Sequence, residues 1–362
     1  MNTTIDPRLS AEVDAAVKRL SDKLSKVDVQ SLPLSDYNKR YVRQLVSSLP
    51  GHFQCYAHLL KLALAAGMDH SYVIDYGAGW GGLALLAAEL GVPVIYDDIY
   101  DVSCRDAGMI AAAVGLEFAH VVCGDIDDLV AYTVAHELSC AAMVSYDVLE
   151  HIYDVPHYLQ TLSDIPGARF RVVLASGANQ HNPRIRRRLM VHHRMRETMG
   201  KEHQWGHKER DALRSYRDIR SEMIAEQAPH LSAAEIEVLA KLTRGLMRDD
   251  ISAAVDEYLK RGSISYQPDH PTNTCDPNTG NWAEHLMDTG WLCKHLAAAG
   301  FEATVLPGYW VASPSPLRSI VGQTLNAVMP LLGRHALTLA PYYILKGERP
   351  DHALANRSAG RV

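Results

Sequence analysis

The clearest chemical signal is a glycine-rich turn at residues 73–82, which read VIDYGAGWGG. Its glycines at 77, 79 and 82 match the spacing G-x-G-x-x-G, in which a buried strand passes through a tight turn into a helix. Backbone N–H groups at such a helix start can bind a ligand at close range. Because many ligands can use that geometry, the turn predicts a cofactor site and leaves the cofactor open.

Acidic residues follow three successive predicted strands. Asp75 stands two residues before the first glycine, Asp98 ends the segment IYDD, and Asp125 follows Cys123 and Gly124. The carboxyl ends of parallel strands share one edge of a sheet, so these acids are expected to surround the turn. A nicotinamide or flavin dinucleotide would bring a diphosphate there, whereas S-adenosylmethionine brings an ammonium, a sulfonium and one carboxylate. The acids therefore favour S-adenosylmethionine.

A fourth segment, residues 144–152 with the sequence VSYDVLEHI, completes a familiar order of motifs. Together the four segments resemble the class I S-adenosylmethionine-dependent methyltransferases. The resemblance covers about residues 71–176 and resumes over 283–310, and PYYILKGERP is similar to the last, antiparallel strand of that family. Four ordered motifs are far more specific than one glycine turn.

The resemblance implies a set of cofactor contacts. They are Asp75, Gly77, Ala78 and Gly79 for the methionine part, Asp98 and Ile99 for the ribose, Asp125 and Ile126 for the adenine, and Asp147 near the sulfonium. Asp97 competes with Asp98 for the ribose, and Val148 competes with Asp147. Trp80 departs from the family pattern, which commonly has a smaller residue inside the turn.

Methyl transfer to a hydroxyl needs a base, and histidine is the usual candidate. His181 follows the fifth predicted strand and is the first candidate for the catalytic base, with His151 as the second. Arg187 and Arg188 lie in an arginine-rich helix that could bind an anionic substrate, although a solvated helix face balanced by nearby acids is the simpler explanation. His270, in a loop of turn-forming residues, is a candidate substrate contact or a structural loop residue.

Several further His, Asp and Glu residues raise the alternative of a divalent metal. They are His203, His207, Asp269, His270, Asp276, Glu284 and His285. None of their spacings is diagnostic of a metal site, since the His203 and His207 pair lacks the glutamate of H-E-x-x-H. We therefore expect no metal.

The elements around these residues predict the fold. Short β-rich runs alternate with helical stretches from residue 71 to 176, which indicates an α/β protein with a doubly wound, Rossmann-like and mostly parallel sheet. We expect an N-terminal helical cap of about three helices at 1–70, a cofactor-binding core at 71–177, a large helical insertion at 178–282 and the end of the core at 283–362. Within the last part the pattern predicts a helix over 283–299 and an apolar helix over about 317–335.

Composition limits the partners. The net charge of −6 argues against nucleic acid, which needs a broad basic surface. Six scattered cysteines without a C-x-x-C pair indicate no disulfide framework, and no segment reads as a signal peptide or membrane span, so we expect a cytoplasmic protein without stable membrane insertion. The apolar helix near 317–339 is expected to pack on the sheet or on a partner subunit, which leaves a homodimer open.

The function expected from the sequence is methyl transfer from S-adenosylmethionine to an oxygen or nitrogen of a small metabolite, anionic or sugar-like in character. Two alternatives stay open. One is an NAD-dependent oxidoreductase that uses the same glycine turn. The other is a non-catalytic protein that binds S-adenosylmethionine.

Overall fold

The computed structural model describes residues 6–46, 49–65, 71–199, 213–311 and 315–350 of the 362-residue chain. The chain divides into two compact units. The first consists of Met1–Leu149, Val155–Ser176 and Asp288–Val362, and the second of Glu150–Asp154 and Gly177–Met287.

The first unit is built on a seven-stranded sheet. Its strands are β1 (Tyr72–Tyr76), β2 (Val94–Asp98), β3 (His120–Cys123), β4 (Cys140–Tyr146), β5 (Arg171–Ser176), β6 (Glu302–Pro307) and β7 (Tyr343–Glu348). The order across the sheet is β3-β2-β1-β4-β5-β7-β6, and β7 runs antiparallel to both of its neighbours. This arrangement confirms the predicted doubly wound, Rossmann-like sheet with an antiparallel last strand.

Three helices precede the sheet, as the spacing of apolar residues predicts. They are α1 (Pro7–Ser25), α2 (Asp36–Val46) and α3 (Leu49–Ala63). The buried side of α1 carries Leu9, Val13, Ala16, Leu20 and Leu24, which recur at helical spacing and join the same core as α3. Side chains of α3 therefore form part of the core that lies against the sheet.

Five more helices cover the strands of the first unit before its last segment. They are α4 (Gly82–Glu89), α5 (Asp101–Ala113), α6 (Ile126–Ala135) and α7 (Val155–Thr161), followed after the second unit by α12 (Thr289–Ala298). Helix α4 is apolar on nearly all sides and buried, because it lies between the sheet and the N-terminal helices.

The second unit is helical, as predicted for the insertion. It contains α8 (Pro183–Thr198), α9 (Tyr216–Gln227), α10 (Ala233–Leu242) and α11 (Arg248–Arg261). Ile224, Leu239 and Val255 are fully buried where α9, α10 and α11 meet. Arg220 is also fully buried, and it pairs with Glu197 and donates to the carbonyl of Ala240 at 2.9 Å.

Two helices near the C-terminus differ from their predicted bounds. The helix predicted over 283–299 begins only at Thr289, because Glu284 has a left-handed φ of 65° and the Asp288 side chain caps the helix through the N–H of Trp291. The apolar helix predicted over about 317–335 is α13 (Pro316–Val328), followed by 3₁₀ turns over Met329–Thr338 that are interrupted at Gly333.

Helix α13 leaves its apolar side chains exposed, with Leu317 71% and Ile320 61% accessible. These two residues therefore do not pack on the sheet, and the alternative that the helix packs on a partner subunit stays a prediction. Among the helices that the structure describes, none has the length and apolar character needed to span a bilayer.

The cysteines also differ from expectation. Their scattered positions predicted no disulfide framework, yet Cys104 of α5 and Cys123 of β3 are paired, with Cα atoms 6.3 Å apart. Residues far apart in sequence become neighbours here because α5 packs on the adjacent strands β2 and β3.

Candidate cofactor and acceptor site

The glycine turn has backbone angles that only glycine adopts without strain. Gly77 has a φ of 66°, Gly79 a φ of 56° and Gly81 a φ of 85°. At Gly77 space is also short, since a Cβ atom would lie 2.7 Å from Cγ2 of Val148. The first glycine of the turn is therefore packed against the segment that follows β4, which brings two of the four predicted motifs into contact.

Asp75 lies under the turn at the end of β1 and is 3% exposed. Its Oδ2 accepts a hydrogen bond of 2.8 Å from the N–H of Ala84. Helix α4 begins after Gly81, which has no side chain to cap it, so Asp75 serves as the cap from the strand below. Burial raises the pKa of Asp75 to about 7, the hydrogen bond from Ala84 opposes that rise, and the neighbouring Asp98 adds to it.

Asp98 holds the turn from the end of β2. Its Oδ2 accepts from the N–H of Gly79 at 2.8 Å, and its Oδ1 accepts from the N–H of Tyr100 at 2.9 Å. Both oxygens of Asp98 thus hold backbone groups at this edge of the sheet, and its contact with the ribose stays a prediction. Ile99, beside it, is 52% exposed.

Asp97 is a buried acid whose charge interacts with four other acidic residues. It is 1% exposed, and its Oδ1 has no hydrogen-bond partner among the described residues. The pKa of Asp97 is raised well above its usual value, first by burial and then by Asp98, Asp75, Asp125 and Asp128. All four charged groups that act on it are carboxylates, so this edge of the sheet attracts cations.

Asp125 caps helix α6 after β3. Its Oδ1 accepts from the N–H groups of Asp127 at 2.9 Å and Asp128 at 3.2 Å, while Asp128 accepts from the N–H of Asp125 at 3.1 Å. This is a capping box. Ile126, the first residue of α6, is 4% exposed. The structure thus gives Asp125 a local structural task in addition to the predicted contact with adenine.

Asp147 follows β4 in a left-handed conformation, with a φ of 55°. Its N–H donates to the carbonyl of Ala175 at 2.9 Å, which ties the end of β4 to the end of β5. Left-handed backbone is uncommon outside glycine and is tolerated best by Asn and Asp. The conformation marks the point where the chain turns from β4 toward Val148 and its contact with Gly77.

A cluster of tyrosines that the motifs did not predict lies beside Asp147. The residues are Tyr56 of α3, Tyr146 at the end of β4, Tyr309 after β6 and Tyr342 before β7. Burial and the charge of Asp147 both raise the pKa of Tyr146. The one signal in the sequence is compositional, since the chain has 17 Tyr and only 4 Phe.

The two candidate bases belong to the second unit. His151 has its Nδ1 2.9 Å from the carbonyl of Trp282, so Nδ1 carries the proton and donates, and Nε2 is the basic nitrogen. His181 is half-buried, and its backbone N–H donates to Asn179 Oδ1 at 3.1 Å. Both assignments as base stay predictions.

His270 takes part in a network inside the second unit. Its Nδ1 accepts from the N–H of Thr272 at 3.2 Å, and the Thr272 hydroxyl is 3.0 Å from Nδ1 of His193. Nε2 of His193 donates to the carbonyl of Glu284 at 2.9 Å, and burial lowers the pKa of His193 to about 4. Burial also lowers the pKa of His270, so both imidazoles are neutral at pH 7.

Arg187 and Arg188 are exposed on α8, whose buried residues are Ile185, Leu189, His193 and Arg196. Their role in binding substrate stays a prediction. Within the described ranges, no three His, Cys, Asp or Glu side chains converge to hold a metal ion. His203 and His207, from the metal alternative, lie outside the described residues.

No protein-family model matches this sequence, and no curated protein does. Solved structures that match include phosphoethanolamine N-methyltransferase 2 of Haemonchus contortus in complex with S-adenosyl-L-methionine, at 13% identity and a TM-score of 0.38 over 83% of this chain and 53% of that one. The CurJ carbon methyltransferase matches at 11% identity and a TM-score of 0.36, over 81% of this chain and 52% of that one.

A protein from Galdieria sulphuraria, proposed to be a sarcosine dimethylglycine methyltransferase, matches at 10% identity and a TM-score of 0.38, over 93% of this chain and 99% of that one. The chain spans about half the length of the first two matches, with shares of 53% and 52%. Similarity at this level bears on the fold alone. The strand order and directions of the chain itself carry the conclusion that it has the Rossmann-like fold with an antiparallel seventh strand.

Proposed function

We propose that the chain is an S-adenosylmethionine-dependent methyltransferase. One observation carries the proposal, namely that the edge of the sheet at the glycine turn is acidic. Asp75 and Asp98 lie near the ends of β1 and β2, Asp125 and Asp128 lie at the start of α6 after β3, and all four charges raise the pKa of Asp97. A diphosphate would be repelled by this group, whereas a ligand with a sulfonium and an ammonium would be attracted.

The backbone of the turn supports the same conclusion. Gly79 has a left-handed φ of 56°, and a Cβ atom added there would meet nothing within 4 Å. An absent side chain that is not needed for packing leaves room for a ligand to approach the backbone. Asp98 fixes this glycine by accepting from its N–H, and we propose that the same carboxylate accepts from the ribose hydroxyls.

S-adenosylmethionine would supply the methyl group on a positively charged sulfur. Methyl transfer is an in-line displacement, so the protein must hold an acceptor lone pair opposite the sulfur and exclude water. We propose an oxygen or nitrogen of a small metabolite as acceptor. Asp75, Gly77, Ala78, Gly79, Asp98, Ile99, Asp125, Ile126 and Asp147 are the proposed cofactor contacts.

The exposed arginines of α8 suggest an anionic group on that metabolite. If they bind it, replacing Arg187 and Arg188 by Gln raises the KM for the acceptor and leaves the affinity for S-adenosylmethionine unchanged, because guanidinium groups pair with carboxylates and phosphates through charged hydrogen bonds. Gln at Arg194, which is exposed on the same helix, is the matched control. An unchanged KM removes the arginines from the site.

Calorimetry on the full chain tests the proposed function. S-adenosylmethionine and S-adenosylhomocysteine are expected to bind, and NAD is not. Binding of NAD alone would establish the oxidoreductase instead. Transfer of a labelled methyl group from S-adenosylmethionine into metabolite extracts then separates an enzyme from a protein that only binds the cofactor.

A further inference from the structure

Four tyrosines form a connected group within the first unit, called here the tyrosine cluster: Tyr56, Tyr146, Tyr309 and Tyr342. The ring centroids of Tyr56 and Tyr146 are 5.6 Å apart, those of Tyr146 and Tyr342 6.2 Å, and those of Tyr342 and Tyr309 6.1 Å. The ring planes cross at 88°, 70° and 61°. Successive rings therefore meet edge to face, so that the ring faces within the cluster point in different directions.

The cluster lies at the same edge of the sheet as the glycine turn. Tyr146 is the last residue of β4 and directly precedes Asp147 and Val148, and Val148 contacts Gly77. Tyr342 directly precedes β7, whose first residue pairs with Ser176 and Pro307 at the carboxyl ends of β5 and β6. Side chains from three strand ends and helix α3 thus meet beside the proposed methyl donor.

Two polar atoms in and beside the cluster lack a hydrogen bond of good geometry. They are the enclosed Tyr342 hydroxyl and Trp80 indole Nε1. Their weaker polar contacts are those of Tyr342 with the Cys55 thiol and of Trp80 with Tyr56. The hydroxyls of Tyr146, Tyr309 and Tyr342 lie beside the Cys55 thiol, which is a weak hydrogen-bonding group. Buried phenol and indole groups normally find a full partner, and a polar ligand at the cluster would supply one.

Carboxylates act on the cluster, and the cation Lys61, which acts on the neighbouring His58, is paired with Asp14 at 2.6 Å. Asp147 acts on Cys55, Tyr56 and Tyr146 and raises the pKa of each, in addition to the larger effect of burial. His58, whose ring is 5.1 Å from that of Tyr309, is neutral at pH 7 because burial lowers its pKa to about 4. A positively charged group is attracted both by the carboxylate and by the faces of the rings.

We propose that the tyrosine cluster is the acceptor site and that it takes a small molecule with an ammonium group, whose nitrogen receives the methyl group. The inference rests on the proposed methyltransferase function and narrows its acceptor from oxygen or nitrogen to nitrogen. Tyrosine rings would hold the ammonium group, and the hydroxyls and Asp147 would accept its N–H hydrogen bonds.

The transfer balances without another reactant. A protonated amine first loses one proton to water, which frees the nitrogen lone pair. That lone pair forms the N–CH₃ bond while the S–CH₃ bond breaks and its electrons return to sulfur, giving S-adenosylhomocysteine. The product is a methylated ammonium, which the cluster also binds.

The first experiment measures the preference for charge with the full chain saturated with S-adenosylhomocysteine. Choline and its uncharged isostere 3,3-dimethylbutanol have the same shape, so only the charge distinguishes them. We expect choline to bind at least about tenfold more tightly, as cation–π contacts and a nearby carboxylate would give. Equal affinities, or no binding of choline to the saturated protein, overturn the proposal.

Variants of Tyr146 test whether the preference for choline depends on the tyrosine cluster. Tyr146→Phe keeps the ring and should keep most of the preference for choline, whereas Tyr146→Leu should lose it. Tyr72→Leu is the matched control, because Tyr72 opens β1 at the opposite edge of the sheet and is also half-buried. Loss of the preference in Tyr72→Leu, or its retention in Tyr146→Leu, contradicts the placement.

The second experiment follows labelled methyl transfer to a panel of primary, secondary and tertiary amines, with phenols and sugars for comparison. Transfer to amines supports the proposal, and transfer only to hydroxyls overturns it while leaving the methyltransferase function intact. If S-adenosylhomocysteine itself does not bind, the proposed function fails, and the inference fails with it for that separate reason.

Discussion

Asp75 has two tasks that follow from its position. The motif predicted a contact with the cofactor, and the structure shows that the same carboxylate caps helix α4 through Ala84. The sequence could indicate an acid before the turn but not the cap, because the cap depends on the fold bringing the Asp75 carboxylate to the first turn of α4. A buried acid with a pKa of about 7 is held partly protonated until a positive ligand arrives.

Binding of S-adenosylmethionine should therefore depend on pH through Asp75. A cation stabilises the charged carboxylate, so its pKa falls on binding and a proton is released. The affinity is expected to rise by up to about tenfold per pH unit below pH 7 and to level off above it. Calorimetry in buffers from about pH 5.5 to pH 8.5 measures this slope.

Asp75→Asn is the control for that slope. The amide oxygen can still accept from Ala84, but the group no longer titrates, so the part of the pH dependence that belongs to Asp75 disappears. In the free protein the pKa is raised from 3.8 to about 7, so the stability present at low pH is lost as the pH rises through that range. Asp75→Asn should then be more stable than the wild type at pH 8, by roughly 2–4 kcal/mol. An unchanged slope would show that Asp75 does not sense the ligand.

Variants of Gly77 and Gly79 can distinguish a glycine that is required for packing from one that leaves room for a ligand. Both have left-handed φ, of 66° and 56°, so alanine at either position costs about 1–2 kcal/mol in strain. Only Gly77 is also crowded, with Val148 Cγ2 2.7 Å from the place of a Cβ atom. Urea unfolding should show a larger loss of stability for Gly77→Ala than for Gly79→Ala.

The matching measurement is cofactor affinity. Gly79→Ala should weaken S-adenosylmethionine binding, since its added methyl group enters the open space beside Asp98. It should do so with a smaller loss of stability than Gly77→Ala. The double variant Gly77→Ala with Val148→Ala should recover part of the stability lost in Gly77→Ala alone. No recovery would mean that strain, and not the contact with Val148, requires the glycine.

Among the elements, strand ends were predicted better than helix starts. Runs such as VIDY and AAMVSY are short and mostly apolar, and the structure places β1 and β4 on them. The helix expected from residue 283 starts instead at Thr289, because its cap is Asp288 and the preceding residues belong to the loop of the second unit. Helical spacing of apolar residues cannot separate a first turn from a buried loop that continues the same pattern.

Asp125 both caps helix α6 and is a proposed contact of the adenine. The capping box with Asp128 explains an acid at the start of α6 without any ligand. Asp125→Ala should lower the free energy of unfolding by about 0.5–2 kcal/mol, whereas Asp125→Asn, which keeps a capping oxygen, should cost less. Urea denaturation measures both.

Cofactor affinity of the same variants then separates the two roles. If Asp125 also contacts the adenine as an acceptor, Asp125→Asn should weaken S-adenosylmethionine binding while it retains most of the stability. Wild-type affinity in Asp125→Asn would mean that Asp125 caps helix α6 and does not contribute to cofactor binding.

In the whole molecule, the cofactor residues were within reach of sequence reasoning because each lies in a short segment at the end of one strand. The tyrosine cluster was not, because Tyr56, Tyr146, Tyr309 and Tyr342 come from four segments spread over most of the chain. Only the fold, in which β7 returns between β5 and β6, brings Tyr342 next to Tyr146. When each residue of a site comes from a different segment, no motif or spacing in the sequence predicts that site.

The division into two units yields a prediction for the full chain. The proposed cofactor contacts all belong to the first unit, so S-adenosylhomocysteine should slow hydrogen exchange at the glycine turn and at the ends of β2 and β3. A ligand at about 100 times its Kd adds about 2.7 kcal/mol to the stability of the unit that binds it. Amides in the core formed by α9, α10 and α11 should exchange at the same rate with and without the ligand.

The pattern of protection distinguishes local from global coupling. Because α9, α10 and α11 have a core of their own, with Ile224 and Val255 fully buried, we expect the second unit to open without the sheet. Unchanged exchange there, together with protection of Gly79 and its neighbours, would place the cofactor in the first unit alone. Equal protection of both units would mean that they unfold as one, and the cofactor would then stabilise the insertion through cooperative folding of the entire chain.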